Sequence, residues 1–112
     1  MRAILHAQVA VNPAAEATLV LGARHSSELL FRGEFEAMAE RFAGFRYLPT
    51  VSGADGGWRG RRGRVTDHLD EALGGRSDLV TYFCGHSEMV ARMRRSLAEA
   101  GIPDERQCFE RY

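Results

Sequence analysis

"LVTYFCGHSEMV", Leu79 to Val90, is the stretch whose reading decides the fold. An unbroken apolar run, Leu79 to Cys84, passes through Gly85 and His86 straight into a segment with Met89, Val90, Met93, Leu97 and Ala98 at helical spacing. A short continuous apolar run fits a strand buried on both faces, as in a parallel sheet. Neither cysteine nor glycine adds much to a core at a strand end, so Cys84 and Gly85 need another reason for being there.

Working outward from this strand, the helix Ser87 to Ala100 closes at Gly101, with Pro103 just beyond, and Gln107 to Tyr112 reads as the last strand. On the other side, Thr66 or Asp67 caps a helix through Val65, Leu69, Ala72 and Leu73 that stops at Gly74-Gly75. Before it lies the glycine-rich loop "GADGGWRGRRG", and before that the strand "FRYLPTVS", Phe45 to Ser52. From Ser26 to Phe42 the residues Leu29, Leu30, Phe31, Phe35, Met38, Ala39 and Phe42 predict one amphipathic helix, N-capped by Ser26 or Ser27. "ATLVLGA", Ala17 to Ala23, predicts a buried strand, and the dense apolar cluster Ala3 to Val11 predicts a helix broken at Asn12-Pro13. Strands alternating with helices predict an α/β fold, a Rossmann-like three-layer sandwich with a parallel sheet and right-handed crossovers. The 112 residues suit a single domain spanning the whole chain, 1–112.

Fifteen basic residues balance fifteen acidic ones, so no global field draws the protein to nucleic acid or to an anionic membrane, and anion recognition must be local. An RNA contact by the "GWRGRRG" loop is disfavoured because Trp58 is its lone aromatic. Cys84 and Cys108 lie far apart with no metal-ligand spacing, and His6, His25, His68 and His86 are dispersed, so no metal site is expected. No apolar run approaches the roughly 20 residues of a membrane helix and no signal peptide is visible, so a cytoplasmic location is expected.

In an open parallel sheet, ligands bind outside the carboxyl ends of the strands. Four such ends are readable: Gly22-Ala23-Arg24, Val51-Ser52, Cys84-Gly85-His86 and Glu110-Arg111-Tyr112. A glycine there lets backbone approach a flat ring, and the cysteine before it places a small polarizable thiol on the same rim. The alternative is that Gly85 is only a tight turn and Cys84 a small core residue. The arginines Arg59, Arg61, Arg62 and Arg64 suit an anion or simply a solvated loop.

"YFCGHSEMV" followed by "LAEAGIPDERQCFERY" resembles the end of the NAD(P)H-binding domain of the ferredoxin-NADP reductase superfamily. That group includes ferredoxin and flavodoxin reductases and the reductase components of oxygenases. "LVLGARHSSELLFRGEFEAMA" and "GWRGRRGRVTD" are similar to earlier segments in the same order, so the likeness covers essentially the whole chain. It implies that Cys84 and Gly85 border the nicotinamide, with His86 as a neighbour and Met89 buttressing the turn. It also implies that Glu110 is the acidic residue near hydride transfer and Tyr112 the terminal aromatic that covers the flavin. At the adenosine end, the strand-terminal Gly22 and Ser52 flank two implied phosphate ligands, Arg24 and Arg64, since arginine forks around phosphate oxygens. Members preferring NADPH often carry a further arginine where this chain has Gly53 after Ser52, so NADH stays open beside NADPH.

The family's glycine-rich phosphate loop and the strand before it, central in its sheet, have no counterpart here, because "MRAILHAQVAV" resembles the helix that follows them. The expectation is therefore a partial domain whose four strands form two pairs, and one that binds dinucleotide weakly alone. The implied activity is presentation of nicotinamide, from NADP or NAD, for hydride transfer to FAD held on another domain. Electrons would continue to ferredoxin, flavodoxin or an oxygenase. The alternative is a non-catalytic nucleotide-binding or interaction module on a Rossmann-like scaffold.

Overall fold

The computed structural model describes residues 16–111, which fall into two compact units, one ending at His68 and the other beginning at Leu69. The helix expected over Ala3 to Val11 lies outside the described residues, as does Tyr112. Every strand pairing is parallel and the elements alternate as α/β, as the apolar runs predict.

In the first unit, β1 (Ala17–Ala23) pairs along its whole length with β2 (Phe45–Val51), Ala17 opposite Phe45 and Ala23 opposite Val51. A short third strand, β3 (Arg61–Arg62), adds to β2 opposite Thr50 and Val51. This strand was not legible in the sequence, because two arginines inside a glycine-rich run carry neither strand propensity nor apolar alternation. Leu19, Phe35, Met38 and Phe45 form one buried cluster, with Phe42 and Tyr47 against it; Leu29, Val51 and Trp58 form a second.

The helix expected from Ser26 to Phe42 is in fact two elements: a 3-10 turn, Ser26–Glu28, and helix α1, Arg32–Arg41. Phe31 stands between them in the left-handed region at φ 54°, a conformation that a bulky side chain adopts only under constraint. The constraint is visible on both sides of it. Leu29 is buried in the cluster with Val51 and Trp58, whereas Phe35 and Met38 are buried in the other cluster, so the backbone must reorient in between. Neither Ser26 nor Ser27 caps α1; its N-cap is Phe31, which makes no side-chain capping bond.

The first unit closes with a 3-10 turn, Val65–His68; the second opens with α2 (Leu69–Leu73), which ends where Gly74 and Gly75 both take positive φ. Strand β4 (Thr81–Gly85) pairs with β5 (Gln107–Arg111), so the two expected strand pairs are both present. Helix α3 (Ser87–Glu99) buries Val90, Met93 and Leu97, one stripe at helical spacing. It ends in a Schellman motif: Gly101 has φ 89°, its N–H donates to the Ala98 carbonyl, and the Ile102 N–H donates to that of Leu97. Ile102 is fully buried, the hydrophobic contact that accompanies this motif.

Candidate functional site

Among the described residues, those singled out by sequence lie at the carboxyl ends of the strands, in two groups, one in each unit; Tyr112 lies outside the described residues. In the second unit, the backbone register sets Cys84 directly opposite Glu110, and Tyr82 opposite Cys108. All four are exposed. On the other face, Phe83 stacks on Phe109 at 5.4 Å between ring centroids, and the Arg94 guanidinium of α3 lies 4.8 Å from the Phe109 ring. The period of two along a strand therefore places Cys84 and Glu110 together on the face turned away from α3. Both cysteines are free thiols.

Gly85, next in line, is buried and lies against α3. A Cβ built on it would lie 2.7 Å from the Met89 sulfur, so a side chain there would make the flexible end of Met89 shift. Met89 is thus seated against the backbone of the turn. His86 holds Met89 in that place: as N-cap of α3, its Nδ1 accepts a hydrogen bond from the Met89 N–H at 3.3 Å. Donation by a backbone N–H requires an unprotonated Nδ1. The ring is therefore committed to capping the helix.

In the first unit, β1 and β2 end side by side with Gly22 opposite Thr50. A Cβ on Gly22 would meet the Val65 Cγ2 at 2.9 Å, so here too a glycine permits close approach. Beyond the strands, the Ser52 N–H donates to the Ala23 carbonyl at 2.9 Å and the Gly53 N–H to the Arg24 carbonyl at 2.8 Å. Arg64 follows Gly63, whose φ is 106° and whose N–H donates to the Val51 carbonyl at 3.1 Å. The Arg64 N–H in turn donates to Asp67 Oδ2 at 2.8 Å. Gly22, Arg24, Ser52 and Arg64 thereby share one end of this sheet. The side chains of Arg24, Ser52 and Arg64 are exposed.

The glycine-rich segment is not a loosely solvated loop. Trp58 is buried and its Nε1–H donates to the Arg61 carbonyl at 2.7 Å, which removes it from any base-stacking role. The Arg62 guanidinium donates to the carbonyls of Asp55 at 2.7 Å and Trp58 at 2.8 Å, so this arginine serves the loop itself. Arg32 of α1 lies 5.1 Å over the Trp58 ring. Sequence reasoning missed Asp55, whose Oδ2 accepts from both the N–H and the Oγ–H of Ser26 at 2.9 and 2.7 Å. The local signal was the Asp55-Gly56-Gly57 turn, in which Oδ1 accepts from the Gly57 N–H at 3.2 Å. Its distant partner had no signal. Hydrogen bonding from Ser26, its backbone N–H above all, holds the Asp55 carboxyl below the usual aspartate range.

Among the described residues no group of three His, Cys, Asp or Glu is placed to hold a metal ion, and no helix is long and apolar enough to cross a membrane.

The sequence model of a family described as oxidoreductase NAD-binding domain matches residues 1–95. A ferredoxin--NADP reductase B of Sorangium cellulosum (strain So ce56) is 32% identical over all of this chain, which covers 49% of that relative. The xylene/toluene monooxygenase electron transfer component XylA of Pseudomonas putida is 27% identical over all of this chain and 33% of its own length. Among solved structures, the Amycolatopsis cytochrome P450 reductase GcoB superposes with a TM-score of 0.85 at 28% identity, over 96% of this chain and 32% of that one. The chain spans about half the length, or less, of the curated relatives it matches.

Proposed function

The chain belongs to the oxidoreductase NAD-binding domain family, and from that premise we propose that it is the NAD(P)H-binding module of a flavin-dependent oxidoreductase. On this reading residues 1–112 act as a single, partial NAD(P)H-binding domain. Its partners are a flavin domain and an electron acceptor of the ferredoxin, flavodoxin or oxygenase kind. The observation that carries it is the pairing of Cys84 with Glu110 at the ends of β4 and β5, immediately before a glycine pressed against Met89.

The residues present fit a dinucleotide. Gly85 offers bare backbone at the strand end for a flat ring, and the Cys84 thiol beside it is exposed, small and polarizable. Arg24 and Arg64 offer exposed guanidinium groups to phosphate at the end of the other sheet, with the bare backbone of Gly22 and the exposed Ser52 side chain at the same end. When bound, NADP or NAD supplies a hydride that FAD on another domain accepts, the redox chemistry being that of the cofactors. The residues of this chain position and exclude. Cys84 and Gly85 define the surface on which the ring rests, His86 and Met89 keep that surface rigid, and Glu110 places a carboxylate across the ladder from the thiol. Tyr112 would supply an aromatic face for the flavin ring.

The test is Cys84→Ala in the full-length reductase. The rate of flavin reduction in single turnovers is expected to fall about tenfold or more while the dinucleotide Kd moves less than about threefold, the signature of an interaction made only in the transition state. Equal losses in both would make Cys84 a packing residue, and no change in either would remove it from the site.

A further inference from the structure

Arg24 is exposed, on a segment that has left its strand, and a cation in such a place samples many positions unless its backbone is held. Here it is held on both sides. Its own carbonyl accepts from the Gly53 N–H at 2.8 Å, and the residue before it, Ala23, accepts from the Ser52 N–H at 2.9 Å. Two residues after it, Ser26 is gripped by Asp55 through one oxygen that accepts both the backbone N–H and the hydroxyl, at 2.9 and 2.7 Å. The other oxygen of Asp55 accepts from the Gly57 N–H within its own turn at 3.2 Å, so both carboxylate oxygens are engaged. The Asp55 carbonyl is anchored by Arg62, which also donates to the carbonyl of Trp58, the residue whose side chain is buried with Leu29 and Val51. A rigid path thus runs from the core through Trp58, Arg62 and Asp55 to Ser26, and it brackets Arg24.

We propose that Asp55 is the positioning residue for Arg24, latching the Ser26 turn so that the arginine is presented, already ordered, to the 2'-phosphate of an adenosine dinucleotide. This rests on the NAD(P)H-binding reading above and adds to it the residue that sets phosphate recognition. Asp55 touches no ligand itself: both its oxygens are engaged by the protein, and a carboxylate would repel the phosphate. Its effect is to fix the Arg24 backbone before binding, so that the ordering cost falls on folding rather than on recognition.

The test uses 2',5'-ADP and 5'-AMP as probes with the full-length protein, since the two differ only by the 2'-phosphate. Asp55→Ala is expected to weaken 2',5'-ADP about tenfold, the worth of one well-placed charged hydrogen bond, while 5'-AMP changes less than about twofold. Ser26→Ala, which removes only the hydroxyl, should follow in the same direction even where Asp55→Ala fails to fold. Ser26→Thr should retain wild-type selectivity, and the Asp55→Ala, Ser26→Ala pair should add little to the single changes. Arg24→Ala supplies the reference. If it weakens 2',5'-ADP while Asp55→Ala and Ser26→Ala do not, the latch is wrong and the phosphate reading of Arg24 stands. If Arg24→Ala leaves 2',5'-ADP binding unchanged, the reading of Arg24 itself fails and the proposal falls with it. Equal weakening of both probes by the Asp55 and Ser26 variants would reduce the latch to a fold-stabilising contact and overturn the proposal.

Discussion

The Met89 sulfur occupies the space that a side chain at position 85 would need: a Cβ on Gly85 would sit 2.7 Å from it. The strand end and the first turn of α3 are therefore fitted to each other, and the turn cannot accept even one methyl group without displacing Met89. Gly85→Ala is expected to destabilise the protein by up to about 1 kcal/mol, because the flexible end of Met89 can yield to the added methyl group. Pairing it with Met89→Ala should recover part of that loss, because the smaller side chain vacates the space. Urea denaturation of the two single variants and the double variant measures the coupling; strictly additive losses would refute the contact.

His86 is an uncommon N-cap, and its Nδ1 acceptor is what Met89 leans on. Replacing it by alanine leaves the Met89 N–H without its partner and should cost about 0.5–2 kcal/mol, whereas asparagine, a strong N-cap, should restore most of it. Amide hydrogen exchange at Met89 is the direct readout. Protection lost in His86→Ala and regained in His86→Asn supports the cap, and unchanged protection in His86→Ala refutes it.

Apolar runs and glycine punctuation made most of the fold readable. The ends of β1 are those the sequence predicts, β2 falls one residue short at its carboxyl end, β5 begins at Gln107 as expected, and the Gly101 stop of α3 turned out to be a Schellman motif. What failed did so for tertiary reasons. The pattern from Leu29 to Phe42 is helical in period, but it cannot report that Leu29 and Phe35 are buried in different clusters, which is what breaks the helix at Phe31. Strand β4 begins at Thr81 and not at Leu79, because the apolar residues Leu79 and Val80 precede the ladder and Val80 is exposed. At the candidate site, the register that sets Cys84 opposite Glu110 was not legible, because strand order fixes which strands are neighbours but not which residues face each other. The Asp55–Ser26 latch spans 29 residues, and nothing local encodes its partner.

Gly53 illustrates how a reading by resemblance changes once geometry is known. In sequence it stands where relatives preferring NADPH often place an arginine, and its glycine looks like a missing cation. In the structure its N–H bonds to the Arg24 carbonyl, and a Cβ there would overlap that same oxygen. Gly53→Arg should therefore not strengthen NADPH binding; it should push Arg24 out of place and weaken NADPH at least as much as NADH. Dissociation constants for both cofactors check this, and a selective gain for NADPH would show that the loop accommodates the side chain.

Tyr47 carries a buried hydroxyl for which no hydrogen-bond partner exists among the described residues. Burial, first of all, and the nearby Glu36 carboxylate push its phenol above the ordinary tyrosine range. Because the hydroxyl is shielded from water and has no partner among the described residues, Tyr47→Phe should be neutral or stabilising by up to about 1 kcal/mol, with the ring contact to Phe35 kept. A fall in thermal midpoint beyond about 4 °C would mean that the hydroxyl is satisfied.

Asp55 should leave its mark on the acid limb of the stability curve. Its folded carboxyl lies below the ordinary aspartate value of 3.8, chiefly through the Ser26 N–H and then the Ser26 hydroxyl, because these donors favour the charged form. A depressed folded value means that the unfolded chain binds the proton first as pH falls. The stabilisation is thus complete well above 3.8 and is lost as the pH drops through the folded value beneath it. Asp78 is held down in the same direction by Arg76, so the wild-type curve contains both groups and Asp78→Asn serves as the control. Denaturant midpoints at about pH 6 and about pH 3 should therefore converge between wild type and Asp55→Asn on acidification, because protonation removes from the wild type the charge the variant already lacks. A gap of constant size between those two pH values would show that the Asp55 charge contributes nothing to the latch.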